Sequence, residues 1–134
     1  MSLFDRVRRE IPSGTVLETP VYRREFRIDY EGDKVVLFKD AKSKPFSKIP
    51  KTCWDRMPDF LEKQGRKKEG WVKIGEVFGT PEEGTLQHYL DDFHPQGKTR
   101  STEAGKVASI LQRLRIVEID PNPPSRVRLL YSSP

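Results

Sequence analysis

The stretch Ser101–Tyr131, STEAGKVASILQRLRIVEIDPNPPSRVRLLY, changes its hydrophobic period halfway along, and that change decides how the chain is read. Ala104, Val107, Leu111 and Leu114 recur at helical spacing, with Ile110 at their border, and Ser101 or Thr102 can cap the helix that they define. On its other side lie Thr102, Lys106, Ser109 and Arg113. From Ile116 the period becomes two. Ile116, Val117 and Ile119 form a strand, Pro121 to Ser125 make a tip, and Arg126 to Tyr131 return antiparallel. Pro123 and Pro124 cannot donate to a ladder and so belong in the tip. On the return, Val127 and Leu129 face inward while Arg126 and Arg128 alternate outward.

Upstream, Thr80-Pro81-Glu82-Glu83 offers a Thr N-cap, Pro at N1 and Glu at N3, a capping box that predicts a helix start. Leu86, Tyr89, Leu90 and Phe93 supply its apolar stripe, and His94-Pro95-Gln96-Gly97 ends it. Gly70 to Phe78, GWVKIGEVF, reads as a short strand leading into a turn. Before it, Thr52 or Asp55 would cap a short helix with Pro58 in its first turn, Phe60 and Leu61 inward, and Gly65 as its stop.

In YRREFRIDYEGDKVVLFKD, Tyr22 to Asp40, Gly32-Asp33 predicts a type II′ hairpin turn. The register then pairs Glu31 with Lys34, Tyr30 with Val35 and Ile28 with Leu37, so Phe26, Ile28, Tyr30, Val35 and Leu37 share one face. Such a hairpin is marginal alone and must pack on the remainder of the chain. IPSGT (Ile11 to Thr15) and FSKIPKT (Phe46 to Thr52) read as connectors, and Met1-Ser2-Leu3 carries no weight.

The chain has 134 residues, enough for one domain or for two small lobes sharing a core. Leu, Ile, Val and Phe make up about a quarter of it, above the level at which disorder is expected. No apolar run reaches the ~20 residues of a membrane helix, and the charged N-terminus is unlike a signal peptide. A single cysteine, Cys53, fits a reducing compartment, and the expectation is a cytoplasmic or otherwise intracellular protein. Beside Trp54 it reads as a small buried hydrophobe. The net charge of +5 is unevenly spread: residues 1–51 and 98–134 each carry +4, and residues 52–97 carry −3. That distribution suits a polyanion, and it also occurs on proteins that bind none.

From Thr52 onward the order is helix, short strand, helix, turn, helix, strand, tip, strand. With the third helix running directly into a hairpin in STEAGKVASILQRLRIVEID, this order resembles the winged helix-turn-helix family over residues 52–131, about 60% of the chain. The resemblance implies an α+β fold: an N-terminal β-hairpin extension, residues 1–51, packed on a winged-helix-like domain of three helices plus a wing hairpin, residues 52–134, sharing one core. It implies a non-catalytic DNA-binding protein or module. Thr102, Lys106, Ser109 and Arg113 would face the major groove, Arg126 and Arg128 would contact DNA from the wing, and Lys98 and Arg100 would approach phosphates beside the helix N-terminus. Two features depart from the pattern. The turn from His94 to Arg100 is longer than that of the simple motif, and Glu103 would repel phosphate.

Winged helices also serve as protein-interaction modules, so the alternative is an adaptor whose contacts are the acidic middle and the N-terminal hairpin. Duplex DNA is the expected partner, a protein the other; no membrane is expected, and oligomeric state is not legible. No Gly-rich phosphate loop and no zinc-spaced Cys/His cluster occurs, so no cofactor or metal is expected. Asp29 followed by Asp40-Ala41-Lys42 echoes the metal-binding acids of restriction-type nucleases. In the hairpin register, however, Asp29 faces Val36, which leaves Asp40 roughly 13 Å further along at ~3.3 Å per residue. The two could not share one Mg²⁺. His88 and His94, with Asp91 and Asp92, read as a solvated helix end.

Overall fold

A computed structural model describes residues 2–39, 45–76, 80–94 and 103–130. Within these, the chain is α+β, with α1 (Leu3–Glu10), β1 (Val16–Glu18), β2 (Glu25–Glu31), β3 (Lys34–Phe38), β4 (Pro45–Pro50), α2 (Lys51–Gly65), β5 (Trp71–Lys73), α3 (Leu86–Asp91), α4 (Glu103–Arg113), β6 (Val117–Asp120) and β7 (Arg126–Leu129). Two antiparallel sheets form, one in the order β1-β2-β3-β4 and one in the order β5-β7-β6.

The hairpin register follows the expectation. Glu31 pairs with Lys34, Tyr30 with Val35, Asp29 with Val36 and Ile28 with Leu37. Gly32 takes φ +59 at the turn, where an L side chain would be strained. Phe26, Ile28, Val35 and Leu37 are buried on the shared face, with Tyr30 packed at its edge. The hairpin is not the whole N-terminal element, however. β1 and β4 flank it, so the stretch read as the connector FSKIPKT is a strand that runs into a helix. Ser47 and Ile49 alternate inward there. Two inward residues are too short a signal to separate a strand from a loop by period alone.

The first residues form a helix, although no hydrophobic period in the sequence predicts one. Ser2 caps α1 by accepting from the Asp5 N–H, and Phe4 and Val7 are buried, as is Ile11 just beyond its end. Two distant side chains complete its ends: Asp55 accepts from the Phe4 N–H at 3.0 Å, and the Tyr30 hydroxyl donates to the carbonyls of Val7 and Ile11. Asp55 therefore caps α1, not its own helix.

α2 begins at Lys51 after Pro50, earlier than Thr52 or Asp55 would place it, so Pro58 falls inside the helix instead of in its first turn. Cys53, Trp54, Met57 and Leu61 point into the core. The start of α3 also differs. Thr85, not Thr80, is its N-cap, accepting from the His88 N–H at 3.2 Å. Gly84 has φ +86, which interrupts any helix begun at Pro81 and turns residues 82–85 into a bend closed by Thr85 onto the Glu82 carbonyl. The proposed stop at Pro95-Gln96-Gly97 lies outside the described residues.

One continuous hydrophobic cluster runs from Phe4 and Phe26 through Trp54 and Leu86 to Leu111, Val117 and Val127, and so joins both sheets. α4 lies at its centre. Every residue from Glu103 to Leu111 is buried, including those on the side opposite Val107 and Leu111.

Candidate functional site

The sequence placed a base-reading face on α4 and a phosphate-contacting face on the hairpin of β6 and β7. The structure treats the two differently. Lys106 is 4% exposed and Ser109 9%. The N-terminal sheet covers both: the Ser109 hydroxyl donates to the Glu18 carbonyl of β1, and the Lys106 ammonium sits 4.2 Å from the ring centroid of Phe46 in β4. These two positions lie inside the protein, which corrects their assignment as side chains that meet bases. Arg113 is exposed at the C-terminal end of α4. Lys98, Arg100 and Thr102 lie outside the described residues.

What surrounds the beginning of α4 is a buried polar group set that ties elements together. The free amides of a helix N-terminus need acceptors. Here Gln87 of α3 accepts from the Ala104 N–H at 3.1 Å, and the Glu76 carboxylate accepts from the Gly105 N–H. A Cβ at position 105 would collide with that carboxylate. Glu103 Oε1 meets His94 Nε2 at 2.6 Å. Burial pushes the Glu76 carboxyl up, against the opposing pull of Lys106 and the Gly105 N–H. It pushes the Lys106 ammonium down, with Glu76 opposing. No local sequence signal marks Glu76 or Gln87 as caps, because their partners come from another helix. Each role is structural: the side chains close a buried helix end.

Two further titratable groups are shifted by their surroundings, in opposite senses. Burial, and then the charge of Glu103, raise the Cys53 thiol above its ordinary range, so the thiolate is disfavoured. Asp29 accepts from the Ser13 hydroxyl and the Tyr30 N–H, and these bonds lower its carboxyl below the usual value. It faces Val36 across the hairpin; Asp40 lies outside the described residues. Among the described residues no group of three or more His, Cys, Asp or Glu is placed to hold a metal ion. No helix there is long and apolar enough to cross a membrane.

The hairpin face is open to solvent. Cross-strand pairing aligns Trp71, Arg128 and Glu118 in one row, and Lys73, Arg126 and Asp120 in the next. Period two places all six on the side away from Val72, Val127 and Ile119, which pack inward. Both guanidinium groups lie 4.6 Å from the Trp71 ring centroid. Arg126 Nε also donates to Asp120 at 3.2 Å, and Arg128 pairs with Glu118. Lys67 and Lys68, in the turn after α2, line the same groove as Trp71 and Lys73. Among the described residues neither makes an ion pair within 4.0 Å. A cavity of about 390 Å³ opens between Trp71 and Lys68 on one side and the tip residues Asn122, Pro123 and Pro124 on the other.

Arg126 and Arg128 thus reach the surface expected of them, while Lys67, Lys68, Trp71 and Lys73 were missed. The run Arg66-Lys67-Lys68 was visible in the sequence, but it sits in the segment whose net charge is −3, and the average concealed it. Comparisons with protein-family models, with curated proteins and with solved structures find no match for this chain.

Proposed function

We propose that the chain is a non-catalytic nucleic-acid-binding protein of winged-helix build that contacts duplex DNA through its wing sheet and the turn after α2, with α4 serving as a structural strut. The build is supported by the order of α2, β5, α3, α4, β6 and β7, together with the sheet order β5-β7-β6, in which the strand before the helices sits beside the second wing strand. The observation that carries the function is the grouping of Lys67, Lys68, Lys73, Arg126 and Arg128 around Trp71 on one solvent face. Ion pairing of the two arginines to Asp120 and Glu118 pre-orients them, and exposed pairs of this kind are weak enough to be exchanged for phosphate.

Duplex titrations at several salt concentrations test this. If all five cations contact phosphate, the slope of log affinity against log salt is on the order of −4.5, from about −0.9 per contact. Charge removal at Arg126 or Lys68 weakens binding to every sequence and flattens the slope by about one unit each. Duplex affinity unchanged by Lys68→Ala and Arg126→Ala together would overturn the proposal.

The second reading is a protein-interaction adaptor, and the burial of Lys106 and Ser109 favours it, since the helix that reads bases in the family is here covered by β1 and β4. It expects weak, sequence-indifferent DNA binding that ignores the wing cations.

A further inference from the structure

We infer that the cavity beside Trp71 holds a single unpaired nucleoside phosphate, so that the wing engages the end or a displaced strand of a nucleic acid and not its paired interior alone. The inference rests on the nucleic-acid reading above and names the part of the ligand that this cavity takes. At about 390 Å³ the cavity is near the lower end for ligand sites, which suits a small molecule or one unit of a polymer.

Its walls are of two kinds. Pro123, Pro124 and the Trp71 ring, against which the Arg126 and Arg128 guanidiniums lie, offer flat surfaces, while Lys68, Lys73 (3.8 Å from Glu82) and Arg126 supply three cations. The one carboxylate, Asp120, is already engaged by Arg126 and by the backbone and side-chain amides of Asn122. A fitting ligand therefore joins a flat unsaturated ring to an anion. Phosphotyrosine shares that chemistry, but the Asn122 amide distinguishes the two. Its nitrogen donates to Asp120 at 3.1 Å, and its oxygen has no partner among the described residues. A nucleobase edge carries N–H donors that can use that oxygen, and a phenyl ring carries none. Stacking on an aromatic side chain accepts any base, so the site needs no sequence preference.

The protein carries its own reporter. Of its two tryptophans, Trp54 is fully buried and Trp71 is half-exposed, so ligand-induced quenching reads Trp71. The full chain is titrated with deoxyadenosine monophosphate, inorganic phosphate, phosphotyrosine, a single-stranded oligonucleotide and a blunt duplex. Saturable quenching by the nucleotide and the single strand, absent with inorganic phosphate at equal concentration, is the expected result. Lys68→Glu and Asn122→Ala alter exposed side chains and leave the core intact. Each is expected to weaken that response on the order of tenfold. Quenching by the oligonucleotide but not by the free nucleotide assigns the site to a polymer end; the reverse assigns it to a free nucleotide.

Tighter binding of phosphotyrosine than of the nucleotide overturns the inference. So does an unresponsive Trp71 while salt-dependent duplex binding persists, a result that leaves the broader function standing. Quenching by the nucleotide without any duplex affinity upholds the cavity and removes the duplex reading.

Discussion

Glu76 shows how one side chain can be misread from sequence and yet be decisive in the fold. In the sequence it is an ordinary acid in a glycine-flanked turn; in the structure the residue is exposed while its carboxylate, partly desolvated, caps the N-terminus of α4 beside Lys106. Burial raises its carboxyl above the ordinary 4.5, so the folded state binds that proton more tightly than the unfolded chain does. Its contribution to stability is therefore greatest below the unfolded value and is lost as pH rises through the elevated folded one. Glu76→Gln keeps an acceptor for the Gly105 N–H and removes the titration. In urea melts between about pH 4 and 7, the stability of the variant relative to the wild type should rise with pH above 4.5 and then level off. Asp5 and Asp120, whose carboxyls are lowered by bonds from Ser2 and Asn122 respectively, act with the opposite sign in both proteins and cancel in the difference. A flat or falling difference would mean that Glu76 is not held against its charge.

At the scale of single elements, the misplaced start of α3 has a clear cause: a local signal was present but a neighbouring residue outweighed it. Thr80-Pro81-Glu82-Glu83 has the composition of a helix start, yet Gly84 at φ +86 breaks the first turn and hands the cap to Thr85. The Thr85 hydroxyl bonds both the His88 N–H and the Glu82 carbonyl. Thr85→Ala is therefore expected to cost about 1 to 2 kcal/mol in chemical denaturation, within the usual range for a lost cap. Thr80→Ala, at an exposed position outside α3, should stay within about 0.5 kcal/mol. The opposite ranking would restore the earlier start. α1 was missed for a different reason. Only Phe4 and Val7 bury themselves within its eight residues, too few to show a period, and its remaining support comes from Asp55 and Tyr30 far along the chain.

For the molecule as a whole, one continuous core joins the N-terminal sheet to the other elements. Phe26, Ile28 and Leu37 of that sheet belong to the same cluster as Val107, Leu111 and Val127, and the Arg6 guanidinium reaches the Leu114 carbonyl beyond α4 at 2.6 Å. Thermal unfolding is expected to be one cooperative transition, with far-ultraviolet circular dichroism and tryptophan fluorescence giving coincident midpoints. Two separated transitions would mean that residues before Lys51 form an independent unit. The same packing covers the side of α4 opposite Val107 at Lys106 and Ser109, which is why the proposed DNA contact lies on the β5-β7-β6 sheet and not on that helix.

The sequence by itself determined what depends on neighbours a few residues apart: the Gly32-Asp33 turn with its pairing of Tyr30 and Val35, the helix of Val107 and Leu111, the strands on either side of the proline tip, and the outward alternation of Arg126 and Arg128. Only the tertiary structure decided which amphipathic sides remain free. A helical side bearing Thr102, Lys106, Ser109 and Arg113 reads as a solvated surface, because polar residues are usually exposed. Yet the Glu18 carbonyl of β1 for Ser109, with the Phe46 ring of β4 and the Glu76 carboxylate for Lys106, meets the cost of burying those two side chains. Those partners lie about 30 to 90 residues away in the chain, beyond the reach of any period or local motif.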